Sequence, residues 1–221
     1  FILRWMHFFF GVLWVGLLYY FNFIHTPWSS EIDQTVKASV MRGLVPRVMR
    51  WFLWSAKLTF LSGLGMLWFS YKESGTIEVF STSWGVLIMI GSVLGTLMLI
   101  NVFAIVWPCQ KVLMDSASPE GGAKYDPGVL AKKAYRSLVA ARTNVVFSFP
   151  MLFMMGAARH FNIQFSVDSN PTICLVLFLI IGAVEFNAIR GKLGPMASVK
   201  GVLACSFFFM IVIYAVLEQF T

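Results

Sequence analysis

Six long apolar runs restrict this chain to one kind of fold. They lie at roughly 2–25, 49–71, 84–107, 143–161, 171–189 and 199–218, and about 20 apolar residues suffice for a helix to cross a bilayer. None alternates polar with apolar residues as a half-buried strand does. Lipid admits only segments whose backbone groups pair internally, which leaves helices and closed barrels. The expectation is therefore an all-α integral membrane protein, a bundle of about six transmembrane helices embedded in a lipid bilayer. No polar insert is large enough to fold alone, so residues 1–221 form a single transmembrane domain. Charged residues make up 12% of the chain, against about 25% in a soluble domain. The first run is too long and too aromatic for a signal peptide.

A net charge of +7 would suit nucleic acid, but the basic residues lie between the apolar runs and read as membrane topology instead. The connection 26–48 holds Lys37, Arg42 and Arg47, and 108–142 holds Lys111, Lys124, Lys132, Lys133, Arg136 and Arg142. The connection 190–198 adds Arg190 and Lys192, whereas 72–83 and 162–170 carry only Lys72. Basic connections stay in the cytoplasm, so both termini face outward. Two of these connections carry amphipathic patterns expected to lie at the inner interface. Ser30 and Asp33 have capping-box spacing, and Ile32, Val36, Val40 and Leu44 follow at every fourth position. Asp126-Pro127 starts a second helix, in which Val129, Leu130, Ala134 and Leu138 alternate with basic residues and lead into the fourth run. Gly91 and Gly95 form a small-xxx-small motif that permits close helix contact. Cys109, Cys174 and Cys205 are scattered, which predicts neither disulfides nor a zinc site, and without Cys-x-x-Cys-His there is no covalent c-type haem.

Two histidines stand out. On a helix Arg4, His7, Gly11 and Trp14 share one face. His160 lies near the outer end of the antiparallel fourth run, with Gly156 one turn deeper and Arg159 beside it. Imidazole is a haem ligand, glycine lets a flat ring approach, and arginine suits propionates. The pattern predicts a b-type haem whose iron is held by His7 and His160, framed by Gly11 and Gly156, with Arg4 and Arg159 at the surface. The plainer alternative is a pair of membrane-boundary anchors, the reading also given to His25. Aromatic and Met residues nearby (Trp5, Phe8, Met151, Met154, Met155) suit such a pocket or ordinary packing.

Intramembrane ionisable residues are rare and usually paired. Lys57 and Glu185 both lie toward the inner side, with Asn101, Asn144 and Asn187 in the inner halves of their runs. A Lys57–Glu185 pair satisfied by asparagines is one expectation; a proton path or a small polar substrate site is the other.

The chain resembles the membrane domain of bacterial urate hydroxylases, in which such a domain precedes a cytochrome c domain. The matching pieces are Arg4-Trp5-x-His7 with Gly11, Trp14, Gly16 and Tyr20; Asn101-Val102-Phe103 with Pro108 and Gln110-Lys111; Ala141-Arg142-Thr143-Asn144 with Phe149-Pro150-Met151-Leu152-Phe153 and His160; and Phe186-Asn187 with Arg190-x-Lys192. The resemblance implies a quinone- or cytochrome-linked oxidoreductase of the bacterial inner membrane with both termini periplasmic. Its polar pattern falls on Arg4, His7, Asn101, Gln110, Arg142, Asn144 and His160. Electrons are expected to pass to a separate cytochrome c. The alternatives are an accessory subunit of a larger membrane complex and, less favoured, a transporter.

Overall fold

A computed structural model describes residues 1–118, 124–160 and 171–219. The connection 162–170, residue 161 of the fourth apolar run and the last two residues lie outside these. Among the described residues the chain is helical, without strands. Six helices are long and apolar enough to cross a membrane: α1 (Ile2–Glu31), α2 (Gln34–Ser74), α3 (Ser83–Ser116), α4 (Pro127–His160), α5 (Thr172–Arg190) and α6 (Val199–Glu218). Short 3-10 turns, Ile77–Ser81 and Gly194–Ala197, precede α3 and α6.

The predicted interfacial helices are not separate elements. The 30–44 pattern belongs largely to α2, whose 41 residues run through Pro46, a rod of about 60 Å at 1.5 Å per residue. Its cap is Asp33, whose carboxylate accepts from the backbone N–H of Thr35 and Val36; Ser30 bonds back to the Pro27 carbonyl instead. The hydroxyl and amide donors of that turn hold the Asp33 carboxyl below its usual range, the Thr35 hydroxyl most of all. Gly75, left-handed at φ 72°, ends α2. Asp126 caps α4 through Gly128 N–H and Val129 N–H, and the second amphipathic pattern runs unbroken into the fourth span. Most of these two basic segments thus extends the long helices, which end in them only at Glu31 and Ser116.

The core lies where α4 meets α3 and α6. Val145, Phe147 and Met154 of α4 are fully buried, as are Leu94 and Met98 of α3 and Ile213 of α6. The Gly91-xxx-Gly95 motif finds its partner here. A Cβ on Gly91 would lie 2.7 Å from Met155 Cγ, and one on Gly95 3.4 Å from Met151 Sδ, both on α4. Gly91→Val should lower stability by about 1 to 3 kcal/mol through overpacking, whereas Gly16→Ala, with open space around its Cα, should be near neutral. Thermal unfolding in detergent checks this pair. The outward faces of α2, α5 and α6 carry exposed Trp54, Trp68, Phe178, Phe186 and Phe208, as apolar surroundings require.

The three basic connections gather at one end of the bundle. Gln110 near the end of α3 donates to Ser137 early in α4 at 3.0 Å. The Leu193 N–H between α5 and α6 donates to Tyr135 of α4 at 3.2 Å. His25 and Thr26 of α1 and Lys37 of α2 share a cavity with Gln110 and Ser137. This end is called the basic end below.

Candidate functional site

Two π-helical segments interrupt the long helices: Tyr20–His25 in α1 and Val102–Val106 in α3. Each stops two residues before a proline, Pro27 or Pro108. Proline has no N–H to donate, and its ring crowds the carbonyl four residues back. A turn widened to i→i+5 relieves that crowding, and such bulges concentrate at functional sites. Side chains take up neighbouring carbonyls. Asn22 Nδ2 donates to Leu18 O at 2.9 Å, and the Thr26 hydroxyl donates to Phe21 O at 2.7 Å. Across the helix interface, Asn144 Nδ2 of α4 donates to Met98 O at 3.0 Å, one turn before the second π segment.

Both π segments wall one cavity of about 700 Å³ between α1, α2, α3 and α4, within the size range of small-molecule sites. Leu18, Asn22, Phe52, Val102 and Asn144, each 3% exposed or less, form its deep part. Gln34, Ala131, Ala134 and Tyr135, all exposed, form its mouth at the basic end. Phe21 and Phe52 stand edge to face with ring centroids 6.1 Å apart. The cavity therefore grades from a wet mouth to a dry interior.

Two hydrogen-bonding atoms in that wall have no partner although both are buried: Asn22 Oδ1 and His25 Nδ1. A buried polar atom left unpaired costs about 1 to 3 kcal/mol and calls for an explanation. Both belong to residues of one π segment that line the same cavity, so a side-chain rotation would bring them to a ligand with complementary donors and acceptors. Among the described residues the lining contains no carboxylate, and Lys37 is its one lysine or arginine.

The intramembrane polar residues sort into different roles. Asn101 Nδ2 donates both to Asn144 Oδ1 at 3.0 Å and to Glu185 Oε2 at 2.9 Å. This chain ties α5 to α3 and α4 and ends on Asn144, a cavity residue. Lys57 does not join it. No Lys57–Glu185 ion pair forms; the Lys57 ammonium stands 5.1 Å from the ring centroids of both Trp54 and Phe103, a cation–π setting that satisfies the charge without a carboxylate. Asn187 is also elsewhere. Its Oδ1 accepts from Lys192 N–H at 3.1 Å and closes the end of α5. Arg142 is 2% exposed, and its Nε and Nη1 have no hydrogen-bond partner.

His7 and His160 are held by different neighbours. His7 docks on α2, where its Nδ1–H donates to Thr59 O at 2.9 Å and its ring covers Gly63, whose added Cβ would lie 3.1 Å from His7 Cε1. Gly11 likewise faces α2, 3.7 Å from Thr59 Cγ2. Arg4 is exposed on the same helix. His160 ends α4 exposed, Gly156 has open space about it, and Arg159 stacks over the Trp84 ring at 5.8 Å. Contact between α1 and α4 comes further along, where Tyr19 and Ser148 hydroxyls bond at 2.8 Å and Tyr19 packs on Phe149. The slot expected between Gly11 and Gly156 is not framed, because the glycine face of α1 is spent on α2. Among the described residues no group of three His, Cys, Asp or Glu side chains could hold a metal ion.

Sequence reasoning missed Asn22 and read His25 as a boundary residue. The available signal was an asparagine inside an apolar run, three residues before a histidine and five before a proline.

No curated protein and no solved structure matches the chain. One family model does, over residues 72–216, which takes in α3, α4, α5 and nearly all of α6, and with them Asn101, Gln110, Arg142, Asn144 and Glu185. With its helices, its polar chain and some two thirds of its length inside that match, the protein belongs to the urate oxidase N-terminal family.

Proposed function

We propose that this chain is the membrane-embedded, substrate-holding part of a urate-oxidising system of the bacterial inner membrane, and that the purine occupies the cavity between α1, α2, α3 and α4. The observation that carries this reading is a cavity of about 700 Å³ whose lining includes Asn22 and His25, two residues of one π segment that each carry a buried polar atom without a protein partner, in a member of this family. Urate is a flat ring edged with N–H donors and carbonyl acceptors. The Asn22 carbonyl accepts a ring N–H. The His25 imidazole takes or gives a proton at Nδ1 according to its tautomer. Apolar Phe52, Met49 and Val102 exclude water and strengthen these bonds. Hydroxylation of the purine takes its oxygen from water and releases two protons and two electrons, and the electrons reduce two equivalents of cytochrome c. Membranes containing the chain should therefore reduce added cytochrome c when urate is supplied; urate that is bound but never oxidised in this assay refutes the redox half of the reading.

The b-type haem is a separate proposal. As a clamp between His7 and His160 it does not fit, since Gly11 packs against Thr59, and no step here depends on it. His7 on its own suits a ligand better. Its Nδ1 is fixed by a backbone carbonyl, the outer support that orients ligating imidazoles. A haem held there would carry electrons one at a time. Its signature is a Soret band that disappears in His7→Ala and persists in His160→Ala; absence of any Soret band from the purified chain refutes it.

A further inference from the structure

The cavity is open at one end of the bundle and closed toward the other, and its charge is of one sign. We infer that it is a one-sided inlet for a planar anion, entered only from the face that carries the basic connections, with Lys37 as the entrance cation. This rests on the proposed occupancy of the cavity by a purine and adds direction, charge and a gate residue to it.

Three observations carry the inference. First, exposure falls steadily along the cavity. Gln34, Ala131 and Tyr135 at the mouth are exposed, Lys37 and Ala38 are half-buried, and Asn22 and Asn144 at the far end are 1% exposed. Val102 in the deep wall and Met98 one turn before it are 0% exposed, so among the described residues the packing closes the far end. Second, Lys37 lines the cavity within the first turn or so of α2, while Glu31, Asp33 and Asp115 do not line it. Asp33 is engaged as the α2 cap, and Asp115 accepts from the Tyr125 hydroxyl at 2.9 Å. Asp33 and Asp115 thus have partners of their own, and among the described lining residues Lys37 is the one ionic side chain apart from His25. Third, Lys132 and Arg136 are exposed on α4 next in sequence to the mouth residues Ala131 and Tyr135, and Lys111 is exposed on α3 next to the lining residue Gln110; a low-dielectric cleft with charge of one sign focuses the field on its ligand. Because basic connections lie in the cytoplasm, the anion is drawn from the cytoplasm, and its electrons leave toward an acceptor across the membrane.

The test uses the full chain with its three cysteines replaced by alanine and a new one at the mouth, Ala38→Cys, with Gln34→Cys as a second position should the first not fold. Everted and right-side-out vesicles are treated with a membrane-impermeant maleimide, with and without saturating urate. The inference expects labelling only in everted vesicles and slower labelling with urate present. Labelling from the other face, or from both, overturns the one-sided inlet while leaving urate binding intact. Everted-only labelling that urate does not slow overturns the purine occupancy itself. For the gate, Lys37→Glu should weaken urate binding about tenfold at low salt, the difference shrinking as salt screens it; binding that is unchanged at low salt overturns the role of Lys37.

Discussion

Asn22→Leu lowers affinity for urate by about ten- to a hundredfold. The lost interaction is a hydrogen bond to a ligand that carries charge, worth about 1.5 to 3 kcal/mol, and each 1.4 kcal/mol is a factor of about ten in affinity. The substitution also removes the Asn22 Nδ2 bond to Leu18 O, so part of its effect could be structural. His25→Phe separates the two. It keeps an aromatic ring for the contacts with Tyr20, Phe21 and Trp28 and deletes an Nδ1 that bonds to nothing in the protein. It should therefore leave the unfolding temperature near its original value while weakening urate binding to a similar degree. Isothermal titration beside thermal unfolding checks both variants. Full-strength binding by His25→Phe would remove the imidazole from the site.

The second large effect concerns Arg142. Arg142 is 2% exposed, Nε and Nη1 of its guanidinium have no hydrogen-bond partner, and no ion pair to it is found among the described residues. Burying a charge without a partner is expensive, and even paired buried charges are often matched or bettered by apolar residues of similar volume, by about 1 to 4 kcal/mol. Arg142→Met should accordingly raise stability by an amount in that range. Thermal unfolding in detergent reads it directly. A loss of several kcal/mol would show that the arginine is a paired structural element, in conflict with its unpaired nitrogens.

The fold was legible in the sequence wherever the apolar pattern set it. The six runs became six long helices because a membrane helix is specified by length and hydropathy alone. Their ends were less legible. Residues 26–48 and 108–142 read as connections because they are polar, yet without a terminator such as Gly75 most of their length stays helical. The polar residues divide in the same way. Asn101, Asn144 and Glu185 could be grouped because ionisable and amide side chains in lipid must find one another, and they do. Lys57 broke the pattern because an aromatic pair satisfies an ammonium as well as a carboxylate does, and hydropathy does not register cation–π geometry. His7 and His160 shared an end but not a neighbour. Helical periodicity gives the face of a side chain, not the helix that face meets, and Gly63 of α2 was the unread partner. The cavity was the least legible feature. It depends on two helices widening into π turns at matching depth, and a sequence records that only as two prolines, Pro27 and Pro108.

Equilibrium dialysis of labelled urate against the detergent-purified chain, beside an Ala141→Phe variant that fills the cavity wall, tests the central claim most directly. Saturable binding of one urate per chain is expected, abolished in Ala141→Phe while the variant unfolds at a similar temperature. Absence of saturable binding, or binding that survives a filled cavity, would contradict it.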